Sequence, residues 1–447
     1  MAFALGMAIA YQPAAVTPLF GVAALVGAAA MLRVTPDGRI STVASVIVWI
    51  GILAPFAVRQ SNTRENIETG AVSQLALIEG GVSAVCLLIV LLSARPKILP
   101  LRGREWLLAS YLMIAVVSGM WSVSSSATVL KAAQLTCEYV LLICLVRLLS
   151  PMRLVNQLVW VVHGVLIGAL IGLAVAPTSA MRPPAVSADG IARLQGTFPA
   201  VGVNILGVVA VVGLLALIAN VGPPCTERII VRLPLGASFI AIVFLTRNRT
   251  SLALLALGVL ILLALQRRSR AATALAIPIA AVLLLASYQS FSREIVTYLH
   301  RGQTGAEFVS LTGRVPLWSA AVDTWSESPM LGHGYYAGHR LGPYADEFHD
   351  IELVNIDNAW VETMLDVGLV GLLPLVLFTL AGVRSAWSRY ALSLSYGPFV
   401  AAAVAVCAAS SFINPSIETM TFTLVIFGLL LLLPRPQGKA ARRSRLA

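Results

Sequence analysis

Residues 354–371 read VNIDNAWVETMLDVGLVG, and an apolar run carries on from there to about residue 383. The run is long enough to cross a bilayer as a helix, which takes roughly 17–25 residues. Asp357 and Asn358 stand at its start. Both residue types make good helix N-caps, because a side-chain oxygen can accept from the unpaired N–H groups of a first turn. A carboxylate in that place has a second reading, as a general base held at the mouth of a rigid helix. The choice between cap and base depends on the rest of the chain.

The chain of 447 residues is 58% hydrophobic and only 11% charged, with a mean hydropathy of +0.87. A soluble globule is typically about 45–50% apolar, so a polytopic membrane protein is expected. Apolar runs of spanning length fall at about 14–32, 42–58, 70–94, 105–121, 126–149, 154–176, 200–220, 229–246, 249–266, 271–287, 356–383, 394–412 and 417–433. The fold class they predict is an all-α polytopic membrane protein with about 12–14 transmembrane helices. The opening MAFALGMAIAY is apolar but short, a half-helix or part of a further span, and lacks the basic start and small-residue cleavage site of a signal peptide.

If the spans alternate, Arg95, Lys97, Arg102, Arg104, Arg147, Arg153, Arg267, Arg268, Arg270, Arg384, Arg389 and the tail KAARRSRLA share one side. The positive-inside rule makes that side cytoplasmic. The net charge of +11 is then mostly topology. No nucleic-acid partner is expected, since the basic residues are spread through short loops without aromatic interleaving. The five cysteines show no CxxC spacing, which argues against both a disulfide framework and a zinc site.

The same alternation puts residues 288–355 outside as one large extracytoplasmic loop near the C-terminus. It holds four of the five histidines and eight of the twenty acidic residues. A long loop over a compact membrane domain is more often functional than idle. The expected organisation is an N-terminal transmembrane bundle (1–287), this loop (288–355), C-terminal transmembrane helices (356–433) and a basic cytoplasmic tail (434–447). In the loop, LTGRVPLWSAAVDTWSES predicts a short amphipathic helix, with Val315, Trp318, Val322 and Trp325 as its apolar stripe. Such a helix can lie at the headgroup level against membrane lipids. Arg314 near its start would add a cation to free backbone N–H groups, which favours a phosphate. Gly332 and Gly334 permit a tight turn, and the acidic stretch YADEFHDIE reads as solvated surface more readily than as a metal site.

Arg247 and Arg249 in FLTRNRTS, and Arg182 and Arg193 in the segment before residue 200, fall on the outer side against the positive-inside expectation. They are either snorkelling flank residues or, with Arg314, a metal-free cationic site suited to a diphosphate. Glu79, Lys131, Glu138 and His163 are ionisable groups inside spans. Lys131 and Glu138, seven apart on one helical face, are expected to pair or to form part of a proton path.

From about residue 193 to 375 the chain resembles the superfamily of O-antigen ligases and O-antigen polymerases, bacterial membrane glycosyltransferases. The resemblance rests on RLQGTF followed by Asn204, then LTRNRTS, LTGRVPLW, PMLGHGYY and DNAWVETMLDVGLVG, in that order. The first 190 residues match only in layout. It implies transfer of glycan from a polyprenyl-diphosphate-linked oligosaccharide donor to a glycan or lipid acceptor at the outer face of the plasma membrane, inverting, with no metal or other cofactor. By motif position, Arg249, Arg314 and Arg193 would bind the donor diphosphate, with Arg247, Lys131, Trp318, Gly332 and Gly334 in support. The ligase motif has His where this chain has Asp357, followed by Asn358 and, nine residues on, Gly368 and Gly371. That departure favours a polymerase over a ligase. It leaves Asp357 with Asn358, or His349 upstream, as the catalytic candidates. A transporter or flippase of lipid-linked sugars using Glu79, Lys131 and Glu138, or a non-catalytic membrane scaffold, are the readings from other classes.

Overall fold

The computed structural model describes residues 39–56, 74–94, 98, 100–182, 192–197, 199–222, 226, 228–266, 314–341 and 356–434. Twelve helices of more than ten residues run through them. They are α1 (Arg39–Leu53), α2 (Gln74–Ser93), α3 (Gly103–Val117), α4 (Ser125–Leu148), α5 (Pro151–Val175), α6 (Val203–Ala219), α7 (Ile229–Leu245), α8 (Arg249–Leu265), α9 (Arg314–Trp325), α10 (Ala359–Ala386), α11 (Gly397–Ser410) and α12 (Phe422–Leu432). The sole strand pairing among the described residues is a two-residue antiparallel ladder, β1 (Met181–Arg182) with β2 (Arg193–Leu194). Helices α4, α5 and α10 are each long and apolar enough to cross a membrane, and further apolar helices are shorter. The architecture is that of an all-α integral membrane protein.

Helices α1–α8 and α10–α12 stand where apolar runs predicted them. The runs at 14–32 and 271–287, together with Glu352, His349 and the rest of the acidic stretch 342–355, lie outside the described residues. Helix α12 starts at Phe422, later than the expected 417, because the preceding chain forms a turn around its own carboxylate. Glu418 Oε2 accepts from the N–H groups of Ser416 (3.2 Å) and Ile417 (2.9 Å), and Thr421 then caps α12 through Leu424 N (3.2 Å).

The core is built on α6 and α12. Their sequences, VNILGVVAVVGLLALIA and FTLVIFGLLLL, are apolar on every side, a pattern that demands burial all round. Every residue from Leu206 to Leu217, and all of α12, is buried. Helix α6 packs against α5, α7, α8, α11 and α12, and α12 against α4, α10 and α11.

The helices alternate in direction, so the bundle has two distinct ends. At one, Arg104 donates to the carbonyl of Leu433 just past α12, and Arg147 of α4 pairs with Glu105 of α3. We call this the basic end. At the other, the loop end, Ala200 N donates to Phe56 O (2.8 Å), Val123 N to His333 O (3.4 Å) and Ala359 N to Ser411 O (2.9 Å).

The expected amphipathic helix is α9, and its packed face takes the Trp318 and Trp325 half of the expected stripe but not Val315 and Val322. Ala320 and Ala321 are buried with Ile356 and Leu365, while Val315 and Val322 are exposed. Two adjacent alanines let the backbone of α9 approach α10 more closely than the valines would. Trp318 and Trp325 pack against this cluster, and their indoles donate to Ile356 O (2.9 Å) and Pro329 O (3.0 Å).

Candidate functional site

Helix α10 is not continuous. Gly368 has φ 60° and ψ −165°, which breaks it into Ala359–Val367 and Leu369–Ala386. A break strips backbone groups of their i→i−4 partners, and in a membrane each such group must find another. The loop 329–334 supplies them. His333 N donates to Leu365 O (3.0 Å) and Gly334 N to Asp366 O (2.8 Å), while Leu369 N donates to Pro329 O (3.0 Å) and Val370 N to Met330 O (3.2 Å). Two of the motif segments, PMLGHGYY and DNAWVETMLDVGLVG, are thus laced into one unit.

This close approach explains the glycines. Gly332 (φ 66°) would place a Cβ 2.6 Å from Asp366 O, and Gly368 one 2.6 Å from Leu331 N. Gly334 (φ 105°) lies against Ser122. No side chain fits at these points, and the positive φ values favour glycine as well.

Asp366, on the last turn before the break, organises the segment 335–340 that continues from the loop. Its carboxylate accepts from Tyr336 N (2.7 Å) and His339 N (2.9 Å), and His339 Nδ1 lies 2.9 Å from Oδ1. Tyr336 is held at φ 64°, uncommon for a bulky residue. Its ring has Lys131 Nζ 5.4 Å and Arg340 Cζ 4.7 Å from the centroid. Neighbouring Tyr335 donates its hydroxyl to Glu418 O (2.7 Å) and its N–H to Ser118 Oγ (2.9 Å). Glu418 lies in the loop between α11 and α12. Burial holds its carboxyl up at about 7, against the pull of its backbone donors.

Lys131, Tyr335, Tyr336 and Arg340 line a partly open cavity of about 280 Å³, together with residues at the starts of α6 and α12, Phe56 and Met420. Lys131 therefore does not pair with Glu138. Seven residues put the two on one face but about 10 Å apart along the axis. Both Glu138 carboxylate oxygens are buried without a hydrogen bond among the described residues. His163 is packed against the Phe239 ring at 5.2 Å, deep in the core.

Asn358, not Asp357, caps α10, accepting from Trp360 N (3.1 Å) and Val361 N (3.3 Å). Asp357 precedes the cap with φ 53°, half-buried, and donates its N–H to Glu362 Oε1 (3.1 Å). Asp and Asn are among the few residues that tolerate this left-handed backbone. Glu362 is itself buried.

Arg249 is the first residue of α8 and is half-buried. Asn248 caps that helix through Thr250 N (3.1 Å) and also donates Nδ2 to Asn204 O (3.2 Å), which ties the LTRNRTS segment to the start of α6. Arg247 is exposed at φ 48°. Arg193 sits in β2 opposite Arg182, and the chain after it returns through Gly196 N to Val201 O (2.8 Å), reaching the cavity wall at Ala200 and Val201. Arg314 opens α9. Trp318 bonds the residue before Asp357, and His349 lies outside the described residues. The loop end thus gathers every described candidate, although the cavity itself takes only Lys131 from among them.

Sequence reasoning passed over His339, Arg340, Tyr336, Glu362, Asp366 and Glu418. Three of them carried a signal: Glu362 and Asp366 are carboxylates within the apolar run 356–383 and Glu418 within the run 417–433, where ionisable groups are costly. Among the described residues no group of three or more His, Cys, Asp or Glu side chains is arranged to hold a metal ion.

No curated protein matches the chain. Residues 235–376 match the sequence family described as O-antigen ligase, a stretch that takes in most of α7, then α8, α9, the 329–334 loop and the break in α10. Over that segment, about a third of the chain, it is similar to O-antigen ligases.

Proposed function

We propose that the protein transfers glycan from a polyprenyl-diphosphate-linked donor to an acceptor sugar hydroxyl at the outer face of the plasma membrane, as a polymerase of lipid-linked units. The observation that carries this reading is that PMLGHGYY and DNAWVETMLDVGLVG are laced together at the break in α10, with the helix of LTGRVPLW packed on α10. The family match over residues 235–376 supports a glycan-transferring membrane enzyme. Basic residues collect at the opposite end, which favours a cytoplasmic basic end and an outward site.

In the reaction the acceptor oxygen attacks the anomeric carbon as the bond to the diphosphate oxygen breaks. One displacement inverts the configuration. Asp357 takes the acceptor's proton, since Asn358 already serves the helix start. Arg249, Arg314 and Arg193 offset the charge of the departing diphosphate, work for which a planar, permanently charged guanidinium is well suited. The aspartate in place of the ligase histidine favours polymerase over ligase. The lack of a hydrogen bond to Glu138 gives the transporter reading no Lys131–Glu138 pair to build on.

The test is transfer by purified protein from a lipid-linked donor. Arg249→Ala is expected to lower the rate at least a hundredfold with little change in melting temperature, and Arg249→Lys to retain part of it. Normal transfer by Arg249→Ala would remove the diphosphate assignment.

A further inference from the structure

We infer that Glu362 is a positioning residue for Asp357, its buried carboxyl joining the backbone N–H of that residue to the carboxyl of Glu418 through a shared proton. The inference rests on the proposed function for the part given to Asp357. Geometry is the first argument. Asp357 N donates to Glu362 Oε1 (3.1 Å), five residues on, across a cap whose own side chain is engaged with Trp360 N and Val361 N. The residue so held stands at φ 53°, a left-handed conformation that costs energy and persists where neighbours fix it. A base that must meet an acceptor hydroxyl at hydrogen-bond distance gains from that restraint.

Burial and charge are the second. Glu362 is 1% exposed and Glu418 2% exposed. Glu362 is faced by Glu418 from the loop between α11 and α12, by Asp357 from the chain before α10, by Asp366 from the following turn and by Arg340 from the segment 335–340. Three of these four are carboxyls. Around Glu418 stand the rings of Tyr111, Tyr139 and Tyr335, from α3, α4 and the segment 335–340. Two carboxyls together in a buried site do not both ionise, and one proton between them removes the repulsion.

The second carboxyl's own bonding is the third. Glu418 Oε2 accepts from Ser416 N (3.2 Å) and Ile417 N (2.9 Å), while Oε1 is buried without a well-aligned partner among the described residues. Glu362 lies at side-chain hydrogen-bonding range of this carboxyl. A proton between the two completes the contact: Glu362 Oε2 then bonds Glu418, and Glu362 Oε1 remains an acceptor for Asp357 N. Tyr335 donates its hydroxyl to Glu418 O (2.7 Å) and Tyr139 its own to Ile417 O (2.7 Å), so the loop that carries Glu418 is anchored on two sides. Asp357 is thus tied through Glu362 to the buried core.

Glu362→Gln can make both bonds, since its amide oxygen accepts from Asp357 N and its amide nitrogen donates to Glu418. In transfer by the purified full-length protein from a lipid-linked donor it should keep most of the wild-type kcat. Glu362→Ala, and Glu362→Met with similar length and no strong acceptor, should lose about tenfold to a hundredfold in kcat with KM for the donor little changed, because a displaced base weakens the transition state alone. Asp357→Asn should mask the change, so that Asp357→Asn with Glu362→Ala is no slower than Asp357→Asn by itself. The exposed Glu327→Gln should match wild type. Losses that multiply in the double variant, or a Gln variant as slow as Ala at equal melting temperature, would overturn the inference. If the Ala and Met variants fail to fold, infrared spectra at about pH 8, where ordinary carboxyls are ionised, decide instead. Wild type minus Glu362→Gln should show the band of a protonated carboxyl, and its absence overturns the inference. Wild-type kcat in folded Glu362→Ala, with transfer lost in Asp357→Asn, would sink this inference alone. Wild-type transfer by Asp357→Asn would sink the base assigned under the proposed function, and this inference with it.

Discussion

At the basic end of the bundle, cations close the structure. Arg104 reaches the carbonyl of Leu433, and Arg147 pairs with a Glu105 carboxylate that also accepts from Arg102 N (2.8 Å) at the start of α3. At the loop end, Lys131 and Arg340 face an aromatic ring and a cavity, and the main helix is broken to hold that ring in place. One end uses its charges on helix termini and short turns. The other keeps cations around a space and accepts broken backbone and left-handed residues to do so. Ionic interactions in the first region should therefore matter to stability, and those in the second to ligand and rate.

The largest expected effect breaks the loop end outright. Gly368→Ala would force a Cβ against the backbone of Leu331 at a positive φ, and the loop 329–334 could no longer supply its four hydrogen bonds. Little folded protein should be recovered. Gly81→Ala, on α2 with open space around it, should fold as well as wild type. Equal melting temperatures for the two variants, by detergent-solubilised thermal unfolding, would contradict the role given to the break.

A smaller effect is expected from Arg147→Ala at the basic end. It leaves Glu105 buried without its cation, at a cost of about 3 kcal/mol. Per folded molecule, however, transfer should stay near the wild-type rate. This is the mirror image of Arg249→Ala, and the pair of measurements sharpens the division between the ends. A rate loss in Arg147→Ala matched to that of Arg249→Ala would erase it.

The smallest concerns pH. The folded state holds the Glu418 carboxyl up at about 7, above an ordinary value of 4.5. A raised carboxyl contributes stability that is fully present below about 4.5 and lost as pH rises through about 7. Glu418→Gln keeps an oxygen for the Ser416 and Ile417 N–H groups, so its melting temperature should vary less with pH across that window than wild type's. Parallel curves for the two proteins would count against the assignment.

The helices were legible because burial on all sides leaves an unambiguous mark: α6 and α12 have no polar face to expose. Helix α9 was legible as a helix and in its two tryptophans, but not in the burial of Ala320 and Ala321 over Val315 and Val322, since valines look more buriable than alanines until the neighbour's distance is known. The break in α10 was hidden, because an apolar run with two glycines reads as one helix. What makes it tolerable is a loop more than thirty residues earlier in sequence. Lys131 and Glu138 show the limit of helical periodicity, which reports direction around an axis and not distance along it. The same long-range logic conceals Asp366, whose partners Tyr336 and His339 come from another segment. Asp357 and Asn358 are equivalent caps by residue type, and only the backbone shows that Asn358 has the task.

That division of labour makes Asp357→Asn the most direct test of the central claim, that the loop end is where an acceptor hydroxyl is deprotonated. Asparagine tolerates the φ of 53°, and the cap on Asn358 is untouched, so the melting temperature should match wild type. Asn358→Ala, by contrast, should cost about 1 kcal/mol. The rate of glycan transfer from a purified lipid-linked donor by Asp357→Asn is expected to fall at least a hundredfold, the lower bound of about 10²–10⁴ for a lost general base. A folded Asp357→Asn protein that transfers at the wild-type rate would contradict the account.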